Sequence, residues 1–182
     1  MRETHLTIDD FHTLITQIEG IMNSRPLTPL SSDPADVIAL TPGHFLVGEP
    51  IHSISEPDLS EIPINRLTSF QKMQQKVQHF WKVWSRDYIG QLQNRQRWPL
   101  VRPDIKVGTL VLLKKESAPP MQWNLARIEK VFPGPDGHVR VVDVRTAAGC
   151  YRRAITEVCP LPVEEETQSQ PPQHRSTSPV PA

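Results

Sequence analysis

The spacing of apolar residues changes character along the chain. Phe11, Leu14, Ile15, Ile18 and Met22 recur at three- and four-residue steps. At about 100° per residue they share one helical face, which predicts an amphipathic helix over 7–24. Thr7 can cap that helix, and Asp10 three positions on completes a capping-box pattern. Pro26 ends it, because the residue before a proline disfavours helical backbone. A second, longer periodicity runs through Leu67, Phe70, Met73, Val77, Phe80, Trp81, Trp84, Tyr88 and Leu92. It predicts a long helix over 64–97 with an aromatic stripe on one side and Lys72, Lys76, His79 and Arg86 on the other. Gly90 weakens its C-terminal end and Trp98-Pro99 stops it.

Between the two helices the period is lost. Pro26, Pro29, Pro34, Pro42, Pro50, Pro57 and Pro63 leave no room for a long regular element, so 26–63 reads as an extended connector. The short apolar groups Ala39-Leu40 and His44-Phe45-Leu46-Val47 are expected to pack against a neighbouring surface. Beyond residue 104 the pattern shortens to that of strands. Val107 to Leu113, Leu125 to Phe132, Val139 to Val144 and Cys150 to Ile155 are β-rich runs. Pro133-Gly134-Pro135-Asp136-Gly137 separates the second and third as a hairpin, since Asp and Gly tolerate positive φ. Ala126 and Ile128 share a face that Val131 leaves, which predicts a bulge of the kind that bends small barrels. From Pro162 the chain becomes rich in Glu, Gln, Ser and Pro, and disorder is expected.

These patterns divide the chain into an N-terminal helical segment (1–30), a Pro-rich connector (31–63), a long basic helix (64–103), a small β-barrel (104–161) and a tail (162–182). The fold class is α+β. Nineteen prolines in 182 residues fit short elements and linkers better than one large core.

Charge sharpens this picture. The formal net charge is zero, yet residues 1–63 hold only Arg2 and Arg25 against ten acids. Residues 64–103 hold eight Lys and Arg against Asp87 alone. So local an excess of cations is expected of a segment that meets an anionic partner, although a solvated helix face has the same composition. Lys114-Lys115 and Arg152-Arg153 pair at strand ends, and Arg127, Lys130, Arg140 and Arg145 lie within strands. With Lys72, Lys76 and Arg86 they form the candidate phosphate-contacting set, to be weighed against a soluble strand surface.

Little else in the sequence carries chemistry. Its eight glycines make no phosphate-cradling loop and no serine sits in a nucleophile elbow. Cys150 and Cys159 are nine apart without a paired-histidine motif, so each reads as a buried structural thiol and a reducing compartment is the default. Asp9-Asp10 and Glu19 invite a metal-carboxylate reading, but helix-end and helix-surface roles account for them. His44 and His138 read as loop or turn residues. Trp123, Phe132 and Tyr151 could line a cage for a methylated lysine or fill a core. No apolar run approaches the ~18 residues of a membrane span, and the polar N-terminus does not resemble a secretory signal.

Several segments in order carry a resemblance. IEGIMNSRPLTPL, LTPGHFLVG, FWKVWSRDYIGQLQNRQRW, VGTLVLLKKE, QWNLARIEKVFPGPDGHVRVVDVRT and the closing CPL are similar to the end of the integrase region, and the domain after it, in polyproteins of Bel/Pao-type LTR retrotransposons. The likeness covers about residues 5–162. It implies a parent enzyme that inserts element DNA into a host genome through an RNase H-like core with three metal-binding carboxylates. In that family these lie upstream of the helix holding Ile18 and Asn23. The chain is therefore expected to begin after them and to be no enzyme, with no cofactor and no metal. The first helix would be a remnant of the core, and the β-rich region would correspond to a Src-homology-3-like barrel implicated in DNA binding.

The expected partner is duplex DNA, bound without regard to sequence. The catalytic core, other copies of the chain and chromatin are further candidates, and a membrane is not. The competing expectation is a chromatin reader in which the barrel grips a histone tail. The nucleus or cytoplasm is expected, without secretion.

Overall fold

A computed structural model of the chain describes residues 7–31, 33, 35–54, 56–94, 105–114 and 118–162. The expected stop at Trp98-Pro99, Lys115 and the expected disorder from residue 163 lie outside them. Within the described residues three α-helices and seven short strands alternate with two 3-10 turns. No helix among them is long and apolar enough to cross a membrane.

Helix α1 spans Ile8–Asn23 and opens as the sequence predicts. The Thr7 hydroxyl accepts from the Asp10 amide and the Asp10 carboxylate accepts from the Thr7 amide, a reciprocal capping box. The helix closes at Ser24, whose amide donates to Gly20 and Ile21, two residues short of Pro26.

The connector is less plain than its prolines suggest. Strands β1 (Thr28–Pro29) and β2 (Ala39–Leu40) form an antiparallel pair. Helix α2 (Pro42–Val47) follows, and at its start the Thr41 amide donates to the His44 ring at 3.0 Å. His44 is thus a capping residue. Ala39 is buried as expected. Phe45, Leu46 and Val47 are not, and at 74%, 63% and 63% exposure they correct the expectation that this group packs against a neighbour.

Helix α3 (Ser69–Asn94) is the spine of the molecule and carries three stripes. Met73, Val77, Trp81 and Leu92 are buried, with Phe80, Trp84 and Tyr88 half-buried beside them. Phe70 departs from the expected stripe and is exposed. The second stripe was not apparent in the hydrophobic pattern. The Gln78 side chain accepts from the Leu59 amide and donates to the Pro57 carbonyl, while Gln75 donates to the carbonyls of Leu59 and Ile62. Backbone groups of the connector are satisfied in this way without a regular partner strand. The third stripe, Lys72, Lys76, His79, Val83 and Arg86, faces away from both.

The remaining strands are β3 (Leu110–Leu113), β4 (Leu125–Pro133), β5 (Val139–Thr146), β6 (Gly149–Ala154) and β7 (Val158–Pro160). They form one antiparallel sheet in the order β6-β5-β4-β3-β7, with a 3-10 turn, Ile155–Glu157, before the last strand. Strands β6 and β7 do not pair with each other, so the expected closed barrel is an open five-stranded sheet.

The bulge lies where Val131 leaves the alternation. The β4–β5 register shifts between Ile128 and Lys130, which sets Ile128 opposite Val144 and Val131 opposite Val142. One extra residue returns both apolar side chains to one face and leaves Glu129 and Lys130 exposed. The β4–β5 hairpin closes by Gly137 donating to Gly134 and Gly134 donating to His138, with Gly137 at φ 77°.

Both faces of the sheet are covered in part. Val111, Ala126, Ile128, Val142, Val144 and Val158 form one buried cluster. On the other face Leu110, Leu112, Cys159 and Leu161 pack with Leu92, Tyr88 and Ile89 of α3 and with Ala39. A third cluster joins Ile21 and Leu14 of α1 to Val77 and Trp81 of α3. Trp123 belongs to the second and third clusters and meets Trp81, Trp84 and Tyr88 edge-on with ring centroids 4.8, 5.9 and 5.5 Å away.

Candidate nucleic-acid interface

Sequence reasoning placed cations on two elements, α3 and the sheet, and the structure treats the two groups differently. On α3, Lys72 and Lys76 are half-buried and Arg86 is exposed, in one line with His79. Lys72 to Arg86 spans about 21 Å at 1.5 Å per residue. Among the described residues none of these three cations forms an ion pair. Long side chains on such a line can lay their stems along the helix and keep their charges in water.

The sheet cations are mostly engaged. Arg152 makes a forked contact with Asp143, at 2.8 and 3.1 Å, and its guanidinium lies 4.5 Å from the Phe132 ring centre. The hydrogen bond from Arg152 holds the Asp143 carboxyl below the usual aspartate range. Register sets Lys130 opposite Asp143 on the other side, so Lys130, Asp143 and Arg152 form a row across three strands. Arg145 pairs with Glu129 at 3.2 Å, and Arg140 with Asp136 at 2.5 Å in the hairpin loop. Lys114 and Arg153 are exposed at strand ends, Arg153 5.7 Å from the centre of the Tyr151 ring.

Arg127 corrects the sequence reading outright. It is 5% exposed, and its guanidinium donates to three backbone carbonyls: Asp36, Ser31 at 2.8 Å and Gly108 at 2.8 Å. Each of its three guanidinium nitrogens donates to main chain, so the buried side chain ties β4 to the connector and is not placed to meet a partner. Nothing in its alternating strand position distinguishes it from Arg145, its cross-strand neighbour. The distinction arises only once Ser31 and Asp36 are laid over it.

The three aromatics proposed for a cage do not converge. Trp123 lies in the helix–sheet junction. Phe132 pairs with Val141 and Tyr151 with Val144, positions that alternate along β5, so their rings project from opposite faces of the sheet.

Cys150 also departs from expectation. Cys159 is buried, but Cys150 is exposed and its thiol donates to Glu129 at 3.3 Å. That hydrogen bond, chiefly, raises the thiol pKa above its ordinary value.

A cleft of about 390 Å³ opens on the glutamine flank of α3, lined by Glu56, Asp58, Glu61, Trp81 and Lys82 among others. Its acids would repel phosphate, which leaves the third stripe as the cationic side of α3. No group of three or more His, Cys, Asp or Glu among the described residues could hold a metal ion. Asp10 serves its own helix cap, and Asp9 lies in the same first turn.

A long helix packed on an open antiparallel sheet, with a cationic line on its outer side, makes up the α+β fold. The model for the family of unknown function DUF5641 matches residues 68–161, which cover α3 and the whole sheet, and the chain belongs to that family. No curated protein and no solved structure matches it.

Proposed function

We propose that this chain is a non-catalytic nucleic-acid-binding segment that holds duplex DNA without sequence preference. In this reading it is the end of an integrase core and the region after it in a Bel/Pao-type retrotransposon polyprotein, and it positions element or target DNA for catalysis elsewhere. The observation that carries the binding role is the line of cations on α3, Lys72, Lys76 and Arg86, which face outward without acidic partners among the described residues. Lysine and arginine on a continuous path supply the sequence-independent part of DNA affinity. The strand order β6-β5-β4-β3-β7, with a 3-10 turn before the last strand, supports the Src-homology-3-like part of this reading. The chromatin-reader alternative receives no support from the aromatic residues, whose rings face different surroundings.

The test is a titration of one labelled random duplex at two salt concentrations. Changing Lys72, Lys76 and Arg86 together to Ala should weaken binding and flatten the slope of log K against log salt by roughly two to three units, at about 0.9 per phosphate contact. Failure of the unaltered chain to bind duplex even at low salt overturns the reading.

A further inference from the structure

We propose that the cleft on the glutamine flank of α3 receives an arginine from an extended basic segment of a partner protein. Its two walls are backbone runs from distant parts of the chain, 56–61 of the connector and 118–120 before β4. Both are pinned to α3, at positions three residues apart. Gln78 accepts from the Leu59 amide and donates to the Pro57 carbonyl, and the Trp81 indole donates to the Ala118 carbonyl at 2.8 Å. Gln78 and Trp81 are 8% and 6% exposed, so buried side chains of one helix set the walls apart. Ser53 fixes the second wall further by donating to the Pro120 carbonyl at 2.6 Å. The cleft is therefore formed before any ligand arrives, as binding clefts usually are.

The hydrogen-bonding groups left over select the occupant. Donors around the cleft are already engaged: the Gln78 and Trp81 side chains on the walls, and the Ser60 hydroxyl and amide on Asp58. Pro119 and Pro120 have no amide to offer. What remains is chiefly acceptors, above all the exposed carboxylates of Glu56, Asp58 and Glu61. The hydrogen bonds from Ser60 hold the Asp58 carboxyl below the usual aspartate range, so it is charged at neutral pH. Lys82 is the one cation in the lining among the described residues, set against these three acids. A group that only donates suits such a surface, and guanidinium offers five donors and no acceptor. Trp81, Ala118, Pro119 and Pro120 give its methylene stem an apolar wall. Carboxylates spread over six positions of the connector suit a run of cations better than a single charge, and so a peptide better than a small ion.

Fluorescence anisotropy of the full chain with a labelled peptide of alternating glycine and arginine tests this. The arginine peptide should bind. A lysine version should bind several-fold more weakly, because an ammonium lacks the planar fork, and a neutral citrulline version should not bind. Asp58→Asn with Glu61→Gln should weaken the arginine peptide at least about tenfold. Glu19→Gln with Glu49→Gln removes the same charge outside the cleft and should leave affinity nearly unchanged. Lys82→Glu should strengthen binding, and it tests the cleft independently if the first pair disturbs the turn at Ser60. Circular dichroism confirms that each variant is folded. Equal binding of the arginine and citrulline peptides overturns the proposal, as does equal weakening by the two acid pairs, or a chain that binds no peptide at ~1 mM in low salt. The variant lacking Lys72, Lys76 and Arg86 should hold the peptide no less well than the unaltered chain, so peptide and duplex binding are decided separately.

Discussion

The indole N–H of Trp123 donates to the hydroxyl of Ser24 at 3.1 Å, joining the entrance of β4 to the end of α1 across 99 positions of sequence. Ser24 is itself buried, and its hydroxyl donates onward to the Ile21 carbonyl at 2.7 Å. Trp81, Trp84 and Tyr88 surround the same indole. The junction of helices and sheet therefore centres on one side chain.

Trp123 is half-buried, so Trp123→Ala should destabilise the chain by up to about 3 kcal/mol, the lower end of the range for truncating a buried aromatic. Trp123→Phe should cost less, retaining ring contacts but losing the bond to Ser24, a loss of about 1 kcal/mol. Urea denaturation followed by circular dichroism measures both. Equal, near-zero effects would remove Trp123 from its central place.

Arg127 should behave as a structural residue. Arg127→Met leaves the carbonyls of Ser31, Asp36 and Gly108 without their donor and should cost about 2–3 kcal/mol. Arg127→Lys should not restore stability fully, because one ammonium cannot reproduce a planar fork. DNA affinity measured well below the melting temperature should stay near that of the unaltered chain. A marked loss of affinity with unchanged stability would return Arg127 to the surface.

The paired sheet arginines supply a converse test. Glu129→Gln with Asp143→Asn removes the carboxylates that engage Arg145 and Arg152. The sheet then loses two negative charges, and duplex binding should strengthen with a steeper salt dependence. Titration at two salt concentrations reads this directly. Unchanged affinity would place DNA away from this face.

Cys150 offers a pH readout. Its thiol is held protonated by donation to Glu129, so alkylation by iodoacetamide should be slow at neutral pH and accelerate only above the ordinary thiol range. Glu129→Gln removes the main cause of the raised pKa and should move the rate profile to lower pH. Mass spectrometry distinguishes Cys150 from buried Cys159. A profile unmoved by Glu129→Gln would break the assignment.

Asp143 gives the opposite sign. Its folded-state pKa is depressed by Arg152, so the stabilisation exists above the ordinary aspartate range and disappears as pH falls through the folded value. Arg152 is exposed and Asp143 half-buried, so solvent screening should keep the effect on unfolding small. Asp143→Asn should abolish it, seen as a flatter dependence of melting temperature on pH in the acid range.

Local rules carried the sequence reading where the cause was local. The capping box at Thr7 and Asp10, the hairpin at Asp136-Gly137 and the bulge between Ile128 and Lys130 each depend on a few neighbouring residues. Residues whose role is set by a distant segment were harder. Arg127 looks like any strand arginine until Ser31 and Asp36 cover it, and Gln75 and Gln78 look like solvated helix positions until residues 57–62 run beside them. Closure of a barrel depends on whether β6 meets β7, which neither strand's composition decides. The candidate interface was legible on α3, where periodicity separates the faces. It was misread on β4 because alternation assigns a face but does not say what lies over it.

Arg127, Gln75, Gln78, Trp81 and Tyr88 share a habit: each hydrogen-bonds main-chain atoms of another segment, at Asp36, Leu59, Pro57, Ala118 and Pro26 among others. Main-chain oxygens are the same whatever side chain is attached. The segments so held can therefore change sequence widely while keeping their path, and the burden of fidelity falls on the five holders. Saturation mutagenesis read by fold stability should find exposed Ala35 and Glu56 permissive and the holders intolerant. Substitutional drift would then run fastest in the stretch that links the helices, although that stretch is fixed in place.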